Sequence, residues 1–195
     1  MRIAEIARTT NETDIAVKLF IDGSGKGKID TSIGFFDHMM TLFKSHGKFD
    51  LNISCKGDVW VDYHHSCEDI GIALGEAFAK ALGDKRGIKR YSHIILPMDE
   101  ALIMCAVDIS GRAHLSYDVE TPSEKIGNFD CELVREFFEG FVRASGITLH
   151  IKKLAGANSH HIVEGVFKAF ARVMAEACEI DERANGEIPS TKGVL

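Results

Sequence analysis

DHMMTLFKSHGKFDLNI, residues 37–53, and REFFEGFVRASGITLHI, residues 135–151, follow one plan. Each begins with apolar residues at helical spacing, passes a small or glycine-containing turn, and ends in a short alternating run, Phe49–Ile53 or Ile147–Ile151. The plan predicts helix, turn and strand twice, with His38 aligned on Glu136 at an offset of 98 (136 minus 38). A second pair follows downstream. His64-His65-Ser66-Cys67-Glu68 and His160-His161-Ile162-Val163-Glu164 both read His-His-x-x-Glu, at an offset of 96 (160 minus 64). Each opens an Ala-rich apolar stretch, expected to be helical around Cys67–Leu82 and around Ile162–Cys178. The chain reads as an internal duplication.

Upstream, Ile15–Ile21 and Ala101–Ile109 are strand-like and run into the turns Asp22-Gly23-Ser24-Gly25 and Ser110-Gly111. Each half is therefore expected to be β-β-α-β-α, an α+β unit with its helices on one face of an antiparallel or mixed sheet. The polar turn Gly83–Gly87 separates a first half-repeat, 1–86, from a second, 87–195, that ends in a C-terminal tail. Neither half alone encloses more than a marginal core, so the two are expected to pack as one unit. Gly23-Ser24-Gly25-Lys26-Gly27-Lys28 looks like a phosphate loop but lacks the spacing and the following helix, and is read as a hairpin turn.

With 195 residues, 45% hydrophobic and 27% charged, the composition is that of an ordinary globular protein. A net charge of -6 argues against general nucleic-acid binding. No apolar run is long enough to span a bilayer, and Met1–Ile6 has no signal-peptide core. Five cysteines without a Cys-x-x-Cys pair fit a reducing cytoplasm.

Imidazole nitrogen and carboxylate oxygen are ligands of divalent transition metals. On a helix the first His and the Glu of each motif are i,i+4 and share a face, while the second His lies about 100° around the axis. His64 with Glu68, and His160 with Glu164, can each clamp an ion, leaving His65 and His161 to point at another. A pseudo-twofold arrangement follows, in which each ion takes a His–Glu pair from one half and the spare His from the other. His38 and Glu136 add a metal-competent residue at equivalent positions. Mixed N/O donors without cysteine, leaving open octahedral positions, favour Mn²⁺ or Fe²⁺ over Zn²⁺. A single His-His-x-x-Glu is commonly a surface or helix-start feature; two copies at equivalent points of a duplication favour metal. Among the cations, Arg90, Arg112, Lys168 and the tail Ile188–Gly193, with Ser190 and Lys192, are the candidates for a phosphate, although each alone reads equally as a solvated charge.

Arg8-Thr9-Thr10-Asn11-Glu12-Thr13, Gly34-Phe35-Phe36-Asp37-His38-Met39, Asp62-Tyr63-His64-His65, Pro97-Met98-Asp99-Glu100-Ala101-Leu102, Asn158-Ser159-His160-His161 and Pro189-Ser190-Thr191-Lys192-Gly193 together resemble the imidazoleglycerol-phosphate dehydratase family over nearly the whole chain. The resemblance implies a metal-dependent hydro-lyase of histidine biosynthesis that dehydrates D-erythro-imidazole glycerol phosphate to imidazole acetol phosphate. It implies a duplicated half-domain with helices on four-stranded, mostly antiparallel or mixed sheets, like ribosomal protein S5 domain 2. It also implies two Mn²⁺ per active site and a cytoplasmic 24-subunit homo-oligomer with sites shared between subunits and no nucleic-acid or membrane partner. Carried over residue by residue, it places His38, His65, His160 and Glu164 on one ion, and His64, Glu68, Glu136 and His161 on the other. Several members of the family have His at the position of Glu136. Glu12 becomes the acid/base carboxylate, assisted by His46, and Arg90, Arg112, Lys168, Ser190 and Lys192 become substrate or phosphate contacts.

The proton to be removed in that reaction sits on a carbon with no neighbouring carbonyl. A ring held as imidazolate, one ion at each nitrogen, is the expected electron sink, with a diazafulvene-like intermediate after loss of the hydroxyl. A dinuclear hydrolase or oxygenase on a helix bundle is the competing enzyme class, and strand-rich segments with 18 glycines speak against it. A metal-glued structural cage is the non-enzyme alternative.

Overall fold

Residues Thr13–Phe20 alternate between buried and exposed positions, and Ala101–Asp108 between buried and half-buried ones, as a strand with one face in a core must. Each is the second strand of its half in a computed structural model that describes all 195 residues. The first half contains β1 (Ile3–Thr9), β2 (Thr13–Phe20), β3 (Ile29–Asp30), α1 (Gly34–Gly47), β4 (Asp50–Gly57) and α2 (His64–Leu82). The second contains β5 (Tyr91–Met98), β6 (Ala101–Asp108), β7 (His114–Asp118), β8 (Lys125–Ile126), β9 (Phe129–Asp130), α3 (Glu132–Ser145), β10 (Thr148–Ala155) and α4 (Ser159–Cys178).

The sheets have the same order, β1-β2-β4-β3 and β5-β6-β10-β7. All neighbours are antiparallel except the last, where β3 joins β4 and β7 joins β10 in parallel. Register makes the duplication explicit. Leu19 pairs with Leu51 in the first sheet and Val107 with Leu149 in the second. The offset is thus 88 on the second strands (107 minus 19) and 98 on the strands after the helix (149 minus 51). Since β7 keeps the smaller offset (Ile29 faces Ile53, Tyr117 faces Ile151), the ten extra residues (98 minus 88) fall between β7 and α3, where the hairpin β8–β9 sits.

The sheets cover a central layer of four helices. α2 lies on β1 and β2, and α4 on β5 and β6. The other two helices cross over: α1 of the first half packs on α4, and α3 of the second packs on α2. Phenylalanines cement the layer, with Phe43 of α1 stacked on Phe170 of α4 at 5.1 Å and Phe78 of α2 edge-on to Phe141 of α3 at 5.6 Å. α2 and α3 meet backbone to backbone: a Cβ at Gly71 would lie 2.3 Å from the Phe137 carbonyl oxygen, and one at Gly140 would lie 2.6 Å from that of Glu68.

The structure departs from the sequence reading in three places. A further strand, β3 or β7, is missing from the β-β-α-β-α reading; it precedes the first helix of each half and completes the four-stranded mixed sheet that the family resemblance implies. α2 and α4 begin at His64 and Ser159, so the His-His-x-x-Glu motifs form their first turns rather than preceding them. Residues 23–28 are not a hairpin turn. The Asp50 carboxylate accepts the backbone N–H groups of Ser24 and Lys26, carrying the chain past β4 so that Ile29 and Asp30 add in parallel on its far side.

Candidate metal centre

Asn158 caps α4, its side-chain oxygen accepting from the backbone N–H of His160 at 2.9 Å and of His161 at 3.3 Å. Asp62 does the corresponding work for His64 on α2, at 2.7 Å. Both caps present two adjacent histidines on an exposed helix start. The paired rings diverge, with planes at 87° for His64–His65 and 82° for His160–His161.

Three candidate ligands converge. Glu164 Oε2 lies 3.2 Å from His160 Nε2, one turn away, and 3.2 Å from His38 Nε2, which α1 brings from the other half. One ligand atom from each of the three lies within 4.8 Å of the others. Donors bound to one ion at about 2.1 Å stand about 3–4 Å apart, so a two-nitrogen, one-oxygen set at this spacing needs little adjustment to hold a divalent cation. Lys168 takes the other oxygen of Glu164 at 2.5 Å. Burial pushes the Glu164 carboxyl up, but Lys168, His38 and His160 outweigh it and hold it below the usual carboxylate range.

The other five ligand candidates do not join that group. His64 Nε2 is 3.9 Å from Glu68 Oε2, and Arg143 holds the second Glu68 oxygen at 2.7 Å. Glu136 lies on α3, which packs on α2 as α1 packs on α4, and opens onto an acidic cavity of about 970 Å³ with Glu120, Glu124 and Glu132. His65 gives Nδ1 to Asp58 Oδ2 at 2.9 Å, and its Nε2 is 3.7 Å from Glu12 Oε1. His161 gives Nδ1 to Glu100 Oε2 at 2.7 Å. These carboxylates raise the affinity of both imidazoles for a proton. Asp58, Glu100 and Arg143 were not singled out by the sequence reading. For Glu100 the equivalence with Glu12 emerges only from strand register, which relates the two by an offset of 88.

The candidate phosphate contacts fall into two groups. Arg90, Arg112 and the tail gather at Asp108. Arg90 Nε donates to its carboxylate at 2.7 Å, Arg112 Nη2 at 3.4 Å, and Arg90 Nη1 donates to the Pro189 carbonyl at 2.7 Å, next to Ser190. Ser190 Oγ in turn accepts the Lys192 backbone N–H at 3.2 Å. Lys168 and His46 belong to the other group. Burial lowers the His46 pKa, helped by the charges of Lys168, Arg172 and Lys48. The backbone N–H of Arg90 bonds Ala177 on α4. Ala177 lies about 13 Å along the helix axis from Lys168, at about 1.5 Å per residue, so the two groups stand at different levels of α4.

A profile of the family described as imidazoleglycerol-phosphate dehydratase matches residues 31–174, most of the chain. The chain belongs to the imidazoleglycerol-phosphate dehydratase family. Relatives of that name from Caldicellulosiruptor bescii and Prochlorococcus marinus (strain AS9601) are 59% and 57% identical, each over 195 residues, which is 100% of this chain and 98% and 97% of theirs. The crystal structure of the Staphylococcus aureus N315 dehydratase superposes with a TM-score of 0.84 at 39% identity, covering 92% of this chain and 99% of that one. The Pyrococcus furiosus enzyme in complex with (S)-C348 gives 0.85 at 39%, covering 97% and 100%. Membership makes this chain an enzyme, a hydro-lyase whose dehydration belongs to histidine biosynthesis. No helix is long and apolar enough to cross a membrane.

Proposed function

We propose that the chain dehydrates D-erythro-imidazole glycerol phosphate to imidazole acetol phosphate with two Mn²⁺ per active site, in a cytoplasmic homo-oligomer whose sites draw on more than one chain. The observation that carries this reading is the incomplete ligand set. His38, His160 and Glu164 form three quarters of one proposed site within a chain. The fourth ligand, His65, faces Asp58 instead, and His161 likewise stands apart from His64 and Glu68. A second copy supplying His65 to the first set and His161 to the other completes both. The family's 24-subunit assembly is the proposed arrangement, and five free, buried cysteines fit a reducing compartment.

When bound, the two ions would hold the substrate ring at its two nitrogens and make it an electron sink. The chain's own residues do the rest. The C3 hydroxyl takes up a proton and departs as water, leaving the side chain as a diazafulvene-like species conjugated with the ring. Glu12, half exposed at the β1–β2 turn, then takes the C2 proton, with His46 assisting. The resulting enol tautomerises to the ketone. Arg90, Arg112, Ser190 and Lys192, with Lys168, hold the phosphate and orient the chain of the substrate.

The test is turnover of imidazole glycerol phosphate by chelated protein with Mn²⁺ added back. Activity restored by Mn²⁺ supports the reading, and full activity in the chelated protein refutes it. Glu12→Gln is expected to keep its metal and lose turnover by about 10²–10⁴-fold, the usual worth of a general base. Full turnover in that variant removes Glu12 from the mechanism.

A further inference from the structure

Glu12 and Glu100 occupy the same place in the two halves. Each lies in the turn between the first two strands, and the register of β1–β2 and β5–β6 relates them by the offset of 88 (100 minus 12). Their surroundings differ. Glu100 is fully engaged: Oε1 accepts the backbone N–H groups of Ala157 at 3.1 Å and Asn158 at 2.8 Å, and Oε2 accepts His161 Nδ1 at 2.7 Å. Those three contacts, led by His161, bring its pKa down to about 2. Glu12 has no comparable hold; its nearest charged partner is His65 Nε2 at 3.7 Å.

The difference traces to one residue in the loop before each metal-motif helix. In the first half, Asp58 at the end of β4 accepts from His65 Nδ1 at 2.9 Å. Its counterpart is Ala157, which offers no carboxylate: a bulge in β10 raises the offset by one, so that Gly156 meets Ala101 and Ile162 as Gly57 meets Thr13 and Ser66, and Ala157 follows it as Asp58 follows Gly57. The second half has no aspartate at the Nδ1 of its second histidine (Asp99 lies on the Nε2 side, at 3.7 Å), and Glu100 fills the place.

We propose that Glu100 is a positioning residue that fixes His161 as a metal ligand, that Asp58 does the same for His65, and that Asp58 thereby leaves Glu12 free for proton transfer. A carboxylate can only accept, so it requires the Nδ1–H tautomer and leaves the Nε2 lone pair for an ion. Glutamine at position 100 reverses this. Its amide oxygen is the only acceptor for the Ala157 and Asn158 N–H groups, so its NH₂ faces His161 Nδ1 and demands the tautomer protonated at Nε2. The duplicated site is therefore asymmetric: one half spends its turn glutamate on positioning, the other on chemistry.

The inference rests on the metal reading above, and the experiment separates the two. Chelated, intact assemblies of the parent and of Glu100→Gln, Asp58→Asn and Glu12→Gln are titrated with Mn²⁺, with free Mn²⁺ followed by electron paramagnetic resonance. One of the two classes of site is expected to weaken about 10–100-fold in Glu100→Gln and in Asp58→Asn, while Glu12→Gln binds like the parent. A parent that binds no Mn²⁺ overturns the metal reading; a parent that binds, beside a Glu100→Gln that binds equally well, overturns this inference alone. Turnover at saturating Mn²⁺ is the second readout. Glu100→Gln should regain most of its kcat as sites fill, whereas Glu12→Gln should not. If Glu100→Gln stays at the Glu12→Gln level with full sites, Glu100 acts on the substrate and the positioning role is wrong. Circular dichroism of the chelated proteins reports folding, and if Glu100→Gln does not fold, Asp58→Asn decides the point.

Discussion

Gly140→Ala probes the contact that joins the two halves. The new Cβ would meet the Glu68 carbonyl oxygen at 2.6 Å, the Ile72 nitrogen at 3.2 Å and Ile72 Cγ1 at 3.3 Å. A comfortable C···O separation is about 3.3 Å, so α3 must retreat from α2 by roughly 0.7 Å. The obstacle is helix backbone, which cannot rotate aside. A clash this close against backbone belongs at the upper end of the overpacking range, about 2–3 kcal/mol, and replacing a helical glycine by alanine returns about 1 kcal/mol. The net expectation is a loss on the order of 1–2 kcal/mol, or roughly 2–8 °C in the thermal midpoint of a chain this size. Gly165→Ala is the control. Its Cβ meets the Ile103 side chain at 3.0 Å and no backbone, so a small shift of that side chain should bring the variant within about 1 kcal/mol of the parent. Both are compared by scanning calorimetry in chelator, which removes any metal contribution. Displacing Glu68 and Glu136 should also weaken the proposed site of His64, Glu68 and Glu136 and spare that of His38, His160 and Glu164. A Gly140→Ala protein that melts with the parent would show that the glycine contact does not set the spacing of the helices.

Three further outcomes follow from the hydrogen-bond partners. In chelated protein His161 and His65 have raised pKa values, so the stability they contribute is complete below 6.5 and is lost as pH rises through the raised values. Glu100 contributes in the opposite sense: its share is present above 4.5 and is lost as pH falls towards about 2. The chelated protein should therefore gain most from these groups between about pH 5 and 6.5, as thermal midpoints across pH will show. Mn²⁺ affinity should instead rise with pH through and above 6.5, by up to about tenfold per unit for each histidine that must release a proton; a flat profile in a Mn²⁺ titration excludes His65 and His161 as ligands. Asp69→Ala removes the buried carboxylate that holds Arg8 at 2.8 Å and Thr13 Oγ1 at 2.5 Å, and with them the two strands flanking the Glu12 turn. It should cost roughly 2–3 kcal/mol by urea unfolding and lower turnover with metal content unchanged; unchanged turnover would show that the turn holds Glu12 without this anchor.

The long periodic elements were legible because one face of each is buried. Alternation marks β2 and β6, and the 3.6-residue spacing marks all four helices. β3, at two residues, is too short to carry any period, and the ten-residue insertion with its hairpin becomes visible only through register. The motif helices were read as starting late because His64, His65, His160 and His161 are polar. Asp62 and Asn158 explain the earlier start, since Asn158 accepts two helix N–H groups and Asp62 that of His64, which would otherwise be unpaired. The i,i+4 geometry of His160 with Glu164 and of His64 with Glu68 is a property of any regular helix and needed no tertiary knowledge.

Which helix lies against which is another matter. The repeat makes His38 and Glu136 equivalent but leaves open whether α1 packs on the motif helix of its own half or of the other. Sequence periodicity states that a helix has an apolar face and nothing about what covers it. The covering is decided by the shape of the whole aromatic layer, where Phe43 finds Phe170 and Phe141 finds Phe78, and by glycines that admit a backbone at contact distance. The duplication, the helix-borne His–Glu pairs and the family were thus in the amino-acid sequence. The crossing of α1 to α4, which puts His38 3.2 Å from Glu164, was decided by tertiary packing. So was the choice of Asp58 and Glu100 as partners of the second histidines, because hydrogen bonds between segments distant in the chain depend on how the intervening elements fold back.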